Sequence, residues 1–234
     1  MSSKIGFTLG VFFYLALPCI AGDTSLVYTG EVKSAFVVGQ SVKLADEYAS
    51  HDLTLRTGDS FVSIWLALPF TGVALDSRQW NHEFDASCGT SLSHVGLPGK
   101  IEVGTYQLAP LNRGDNEFLT ASYSLPVGAL SFTVQRMEGI GRESFKSGWF
   151  LKADYSPSVT RGRFDFSFPL RLTWDRGVAG KDRAFIGRFK PELAFRLSGS
   201  TSLYAGWEAH MPLTDRDDRD SQRASRAGMR IKIK

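Results

Sequence analysis

The chain has 234 residues, a formal net charge of +3, and 22% charged and 12% aromatic residues. That length suits one domain, the composition is not that of a disordered chain, and so small a charge gives no reason to expect a nucleic-acid partner. The one long apolar run lies at the N-terminus, and no later run approaches the roughly 18 residues that a membrane helix needs.

Lys4, the apolar run Ile5–Ile20 and the small-x-small site Cys19-Ile20-Ala21 read as a cleaved export signal over Met1–Ala21, leaving a single domain over 22–234. Cys19 falls within that leader. Cys88 is then the lone remaining cysteine, and no intrachain disulfide is expected.

From there the chain reads as strands. Val27–Lys43 is long and glycine-interrupted and reads as one bent strand; 51–56 follows, then 60–70, which is apolar on both faces. In 79–92, Trp80, Phe84, Ala86 and Cys88 alternate with Asn81, Glu83, Asp85 and Ser87. After 99–109 comes 117–125, with Leu119, Ala121, Tyr123 and Leu125 against Thr120, Ser122 and Ser124. Then 129–138 sets Leu130, Phe132 and Val134 against Ser131, Thr133 and Gln135, and 145–156 sets Trp149, Leu151, Ala153 and Tyr155 against Lys146, Lys152 and Asp154. The cleanest case is 161–175: Phe164, Phe166, Phe168, Leu170, Leu172 and Trp174 share one parity, and Arg163, Asp165, Arg171 and Asp175 the other. The spans 183–198, 201–213 and 225–234 continue the pattern. Side chains alternate faces along a strand, so each span has an oily side and a wet side. The count is twelve, with ten as the alternative.

Three features orient the faces. Twelve strands would enclose more space than side chains readily fill, since eight already enclose a packed interior. Most spans exceed soluble strands and match the roughly 9–11 residues of a tilted membrane strand. Connections alternate, about 8 residues on average after odd strands and about 4 after even ones, as in membrane barrels. The longest, Thr214–Arg223, is TDRDDRDSQR. Hydrocarbon offers backbone groups no partner, so a strand-only chain crosses it as a closed antiparallel transmembrane β-barrel, oily side out.

The chain at this point resembles the small porins of Gram-negative outer membranes. The likeness is spread over the whole of 22–234 and is plainest in FVSIWLALPF (61–70) and HEFDASCGTSL (82–92), with Glu83 and Asp85 on the polar face. It departs from them in ending Ile231-Lys232-Ile233-Lys234 rather than on an aromatic residue. The resemblance implies an outer-membrane setting, lipid around the barrel and passive passage of small hydrophilic solutes. A closed structural or adhesive barrel is the alternative.

The residues expected to line a lumen are Lys146, Lys152, Arg163, Asp165, Arg171, Arg183, Arg188, Lys190, Glu192, Arg196, Glu208, His210, Arg226 and Arg230. Bases outnumber acids here, which reads either as a mildly basic wall favouring anions or as cross-strand ion pairs bracing the interior. Glu208 and His210, two apart on one face, could serve as an acid/base pair beside a serine such as Ser202, the mark of a membrane-embedded lipid hydrolase. No other motif supports catalysis, and no cofactor motif or metal-ligand spacing is present, so a non-enzymatic channel is the leading expectation.

Overall fold

In the computed structural model, residues 23–38, 42–70, 82–108, 117–140, 147–178, 183–214 and 221–233 are described. The export-signal expectation, Lys146, Trp80 and most of the long connections lie outside these residues. The strands are β1 (Thr24–Lys33), β2 (Phe36–Val38), β3 (Val42–Ala45), β4 (Tyr48–Thr57), β5 (Ser60–Pro69), β6 (Glu83–Ser91), β7 (Lys100–Leu108), β8 (Glu117–Val127) and β9 (Leu130–Gly139). They continue as β10 (Gly148–Tyr155), β11 (Ser158–Arg161), β12 (Phe164–Ser167), β13 (Leu170–Asp175), β14 (Ala184–Phe189), β15 (Glu192–Arg196), β16 (Thr201–Pro212) and β17 (Gln222–Ile233).

Every neighbouring pair in the large sheet is antiparallel, and β1 pairs with β17 from Leu26↔Ile233 to Lys33↔Arg226, closing the barrel. The wall has twelve staves, because β10–β11, β12–β13 and β14–β15 are each one strand interrupted near a proline. The cause is local chemistry. Proline has no N–H to give the ladder. The carbonyls of Pro157, Pro169 and Pro191 still accept from Phe168, Lys190 and Trp207 at 3.0, 2.9 and 3.3 Å, but no bond returns.

Two expected boundaries differ most. The first strand ends at Lys33 instead of bending on to Lys43, and β2 and β3 form a separate small hairpin. The expected connection at 157–160 is largely strand β11; the chain reverses at Gly162 instead. β11 pairs only with β12, so this hairpin extends past the β8–β9 turn.

The oily parity faces out. Leu53, Ile64, Val103, Leu119, Phe132, Trp149, Phe166, Leu172, Leu193 and Leu203 are all exposed. Phe166, at 37%, is not a core residue, although its chemistry would place it in the core of a water-soluble domain. Both ends of the barrel wall, Thr24 opposite Thr57 and Ile233 opposite Leu26, lie at the short-turn end.

The interior is uneven along the barrel axis. Toward the long-connection end the inward side chains are packed: Tyr48, Ala67, His82, Glu83, Phe118, Met137, Phe150, Asp175 and Ile186 are buried. Phe118, Met137, Phe150 and Val178 form an apolar cluster with Tyr106 against it. Val178, just past β13, is drawn inward by its N–H donating to Asp175 Oδ1 at 2.9 Å. Toward the short-turn end the inward groups are wetter, with Lys100 and Arg196 side chains 45% and 44% exposed.

Candidate functional site: the polar lumen

Two patches of inward chemistry face the barrel axis. The first is an ion-pair network on β1, β14, β15, β16 and β17. Lys33 Nζ lies 3.1 Å from Glu31 and 3.2 Å from Glu208. Arg188 Nη2 donates to Glu208 Oε2 at 2.9 Å. Arg226 bridges Glu31, at 2.5 Å, and Glu192. Arg230 grips both oxygens of Glu192, at 2.5 and 2.7 Å, the paired geometry that a planar guanidinium gives. Tyr204 donates to Glu31 Oε2 at 3.0 Å, with the Arg226 and Arg230 guanidinia 5.2 and 4.1 Å from its ring centre.

Glycine makes this meeting possible. Glu31, Gly228 and Tyr204 lie in one row across three strands. A Cβ on Gly228 would stand 2.6 Å from the Tyr204 ring and 2.3 Å from the Gly30 carbonyl. Without that Cβ, Tyr204 reaches over Gly228 to Glu31. In the same way Arg226, Gly206 and Glu192 share a row, and Arg226 crosses the bare Gly206 to reach Glu192.

The network pairs Lys33, Arg188, Arg226 and Arg230 with Glu31, Glu192 and Glu208. Lys190 lies opposite Glu208 in the continued register but has no ion pair among the described residues. The wall therefore carries more cations than acids, and three acids hold most of the cations in pairs. Neither ring nitrogen of buried His210 has a hydrogen-bond partner, and its closest carboxylate, Glu208, is 3.8 Å away.

The second patch lies on β4 to β7. One inner row runs Asp52, Trp65, Asp85 and Tyr106 across these strands and on to Phe118 of β8. A cavity of about 320 Å³ opens there, lined by Asp52, Thr54, Phe61, Trp65, Asp85 and Lys100 among others. Thr54 donates to Asp52 at 2.8 Å, Lys100 pairs with Glu102 at 3.2 Å, and Tyr106 donates to Glu83 at 3.0 Å.

Of the residues expected in the lumen, Arg188, Lys190, Glu192, Glu208, His210, Arg226 and Arg230 come together on one wall. Lys152, donating to Gln135 at 2.5 Å, and Arg171, paired with Asp154 at 2.6 Å, lie on the neighbouring wall. Asp165 and Arg196 pair at 3.2 Å near the short turns. Arg163 sits in the exposed turn after Gly162, at the rim. Arg183 is a correction: it lies one residue before β14 with the parity of Phe185 and is exposed on the outer face. Its charge groups it with the lumen cations, but its parity sets it with Phe185. Glu31, Lys33, Asp52 and Trp65 join the inner face without a signal in the sequence, whereas alternation puts Asp85 and Tyr204 on the polar face, where the structure has them.

The acid/base pair and Ser202 do not assemble into a catalytic group. Ser202 and His210 share a face of β16 but stand about 26 Å apart by strand rise. Among the described residues no group of three or more His, Cys, Asp or Glu is placed to hold a metal.

No family model matches the chain, and no curated protein does. Solved structures do. The chain is similar to the outer membrane protein Omp33 of Acinetobacter baumannii, with a TM-score of 0.54 and 7% identity, covering 89% of this chain and 98% of that one. The fold shared with it is a closed antiparallel β-barrel, twelve-stranded in this chain. An outer membrane channel from Pseudomonas putida F1 aligns at a TM-score of 0.44 with 13% identity over 92% and 96% of the two chains. The anion-selective porin from Comamonas acidovorans aligns at 0.37 with 13% identity over 82% and 60%. At 7% identity the likeness to Omp33 is one of fold.

Proposed function

We propose that this barrel sits in the outer membrane of a Gram-negative bacterium and passes small hydrophilic solutes by diffusion, without covalent chemistry or cofactor. The supporting observation is the enclosed charge. A wall that faces Leu, Phe and Trp outward and holds Lys33, Arg188, Lys190, Arg226 and Arg230 against Glu31, Glu192 and Glu208 inward is costly unless water or polar solute shares the interior. Surplus cation on the β14–β17 wall favours anions, and the carboxylates of the β4–β7 wall moderate that preference. The packed cluster of Phe118, Met137, Phe150 and Val178 makes the long-connection end the narrow part.

That same cluster supports a second reading, a closed barrel whose role lies in its outer surfaces. Planar-bilayer recording of the purified protein separates the two. Discrete steps, smaller than those of a wide pore and modestly anion-selective, are expected. Silence at every voltage, with correct insertion shown by protection from protease, would leave only the closed barrel.

A further inference from the structure

The outer face carries charge where the apolar belt ends. Register sets Arg136 opposite Trp149, and the Arg176 N–H bonds the Trp149 carbonyl at 2.8 Å, so Arg176 is next in the row. Asp175 pairs with Ala184; one step further along, Arg183 stands opposite Arg176. Arg136, Trp149, Arg176 and Arg183 thus form one outward row over four adjacent strands at the long-connection rim. Three strand spacings make it about 14 Å long.

Two of the arginines are held against aromatic rings. The Arg136 guanidinium lies 5.3 Å from the Trp149 ring centre, and that of Arg176 4.9 Å from Trp174, which itself stacks on Phe185 at 5.8 Å. A guanidinium lying on an aromatic face keeps its edge donors free for a planar, two-pronged grip on phosphate. Glu138 pairs with Arg136; among the described residues Arg176 and Arg183 have no acid. Just beneath, Val134, Leu172 and Phe185 are exposed, 44%, 42% and 41%, and belong to the belt that meets acyl chains. A ligand seated here has apolar chains below and negative charge above.

The geometry points to a binding site for a phosphorylated lipid headgroup of the surrounding leaflet, gripped by Arg136, Arg176 and Arg183 on a floor of Trp149 and Trp174. The site needs the barrel to lie in a membrane but is independent of whether its lumen conducts. Its length suits a headgroup with two phosphates better than one, since outer arginines can each take a phosphate while the middle one bridges.

Native mass spectrometry of the full barrel in detergent tests this, titrating diphosphoryl lipid A, its dephosphorylated form, and inorganic phosphate. The diphosphoryl lipid should bind at least about tenfold more tightly than the dephosphorylated one, and R176Q/R183Q should remove about that much. R176K/R183K should retain part of it, because Lys keeps the charge and loses the paired geometry. R161Q, in the exposed hairpin at the far end of the barrel, should leave lipid binding unchanged. Unchanged unfolding in urea confirms that the variants remain folded. Equal binding of the dephosphorylated lipid, or equal binding by R176Q/R183Q, would overturn the site. Inorganic phosphate that binds as tightly as the lipid would overturn the lipid assignment.

Discussion

In the half of the barrel nearest the long connections, inward side chains touch each other; in the half nearest the short turns they touch water. Arg226 and its partner Glu192 keep 2% and 8% of their side-chain surface, whereas Arg196 and Asp165, an ion pair of the same chemistry, keep 44% and 37%. The difference shows how unequal two ion pairs can be. A charge that cannot reach water depends wholly on its partner, so the first pair is structural, while the second is screened and contributes little. It also places the narrow part of any path through the molecule, since apolar packing at Phe118 and Phe150 and ionic packing at Arg226 occur in the same half.

The comparison can be broken most directly at its ionic centre. Arg226→Met leaves Glu31 and Glu192 short of a cation, and a loss of about 3–5 kcal/mol is expected in urea unfolding followed by tryptophan fluorescence. The matching Arg196→Met should cost no more than about 1 kcal/mol. Similar losses for both would show that the two halves are equally wet. Phe150→Ala should cost about 3 kcal/mol and enlarge the single-channel step, because the atoms removed are those that crowd the narrow half. A smaller step, or none gained, would move the constriction elsewhere.

Gly228→Ala should cost about 1–3 kcal/mol, since the new methyl meets a backbone carbonyl and the Tyr204 ring. Tyr204→Leu in the same chain should restore part of the loss by freeing that space, and failure to do so would show that the Gly30 carbonyl alone is at fault. The smallest stability effect is expected at Lys190→Gln, below about 1 kcal/mol, because its ammonium group holds no ion pair. Its effect should appear in reversal potentials, as a shift away from anions. An unchanged reversal potential would remove Lys190 from the path.

Much of the fold was legible before any coordinates. Period-two alternation from Leu119 to Ile233 places strands, faces and the outward belt, and Phe166 and Leu172 lie where parity puts them. Parity failed where it was not consulted, at Arg183. It could not resolve the ends of strands that carry proline, because an interrupted ladder still preserves register: β12 and β13 read as one run and behave as one. The first strand ends sooner than its composition suggests because residues past Lys33 remain strand-like while leaving the ladder with β17 for a hairpin of their own, whose Ala35 and Val37 pack against Ala224.

The amino-acid sequence by itself determined that this is a barrel with oil outside and charge inside, since alternation is a local property and hydrocarbon permits only closed sheets. Which charges meet was decided by tertiary structure alone. Glu31 and Tyr204 are far apart in the chain and two strands apart in the wall, and they touch only because closure of β1 on β17 sets Gly228 between them. That depends on register around the whole circumference, which no single strand encodes.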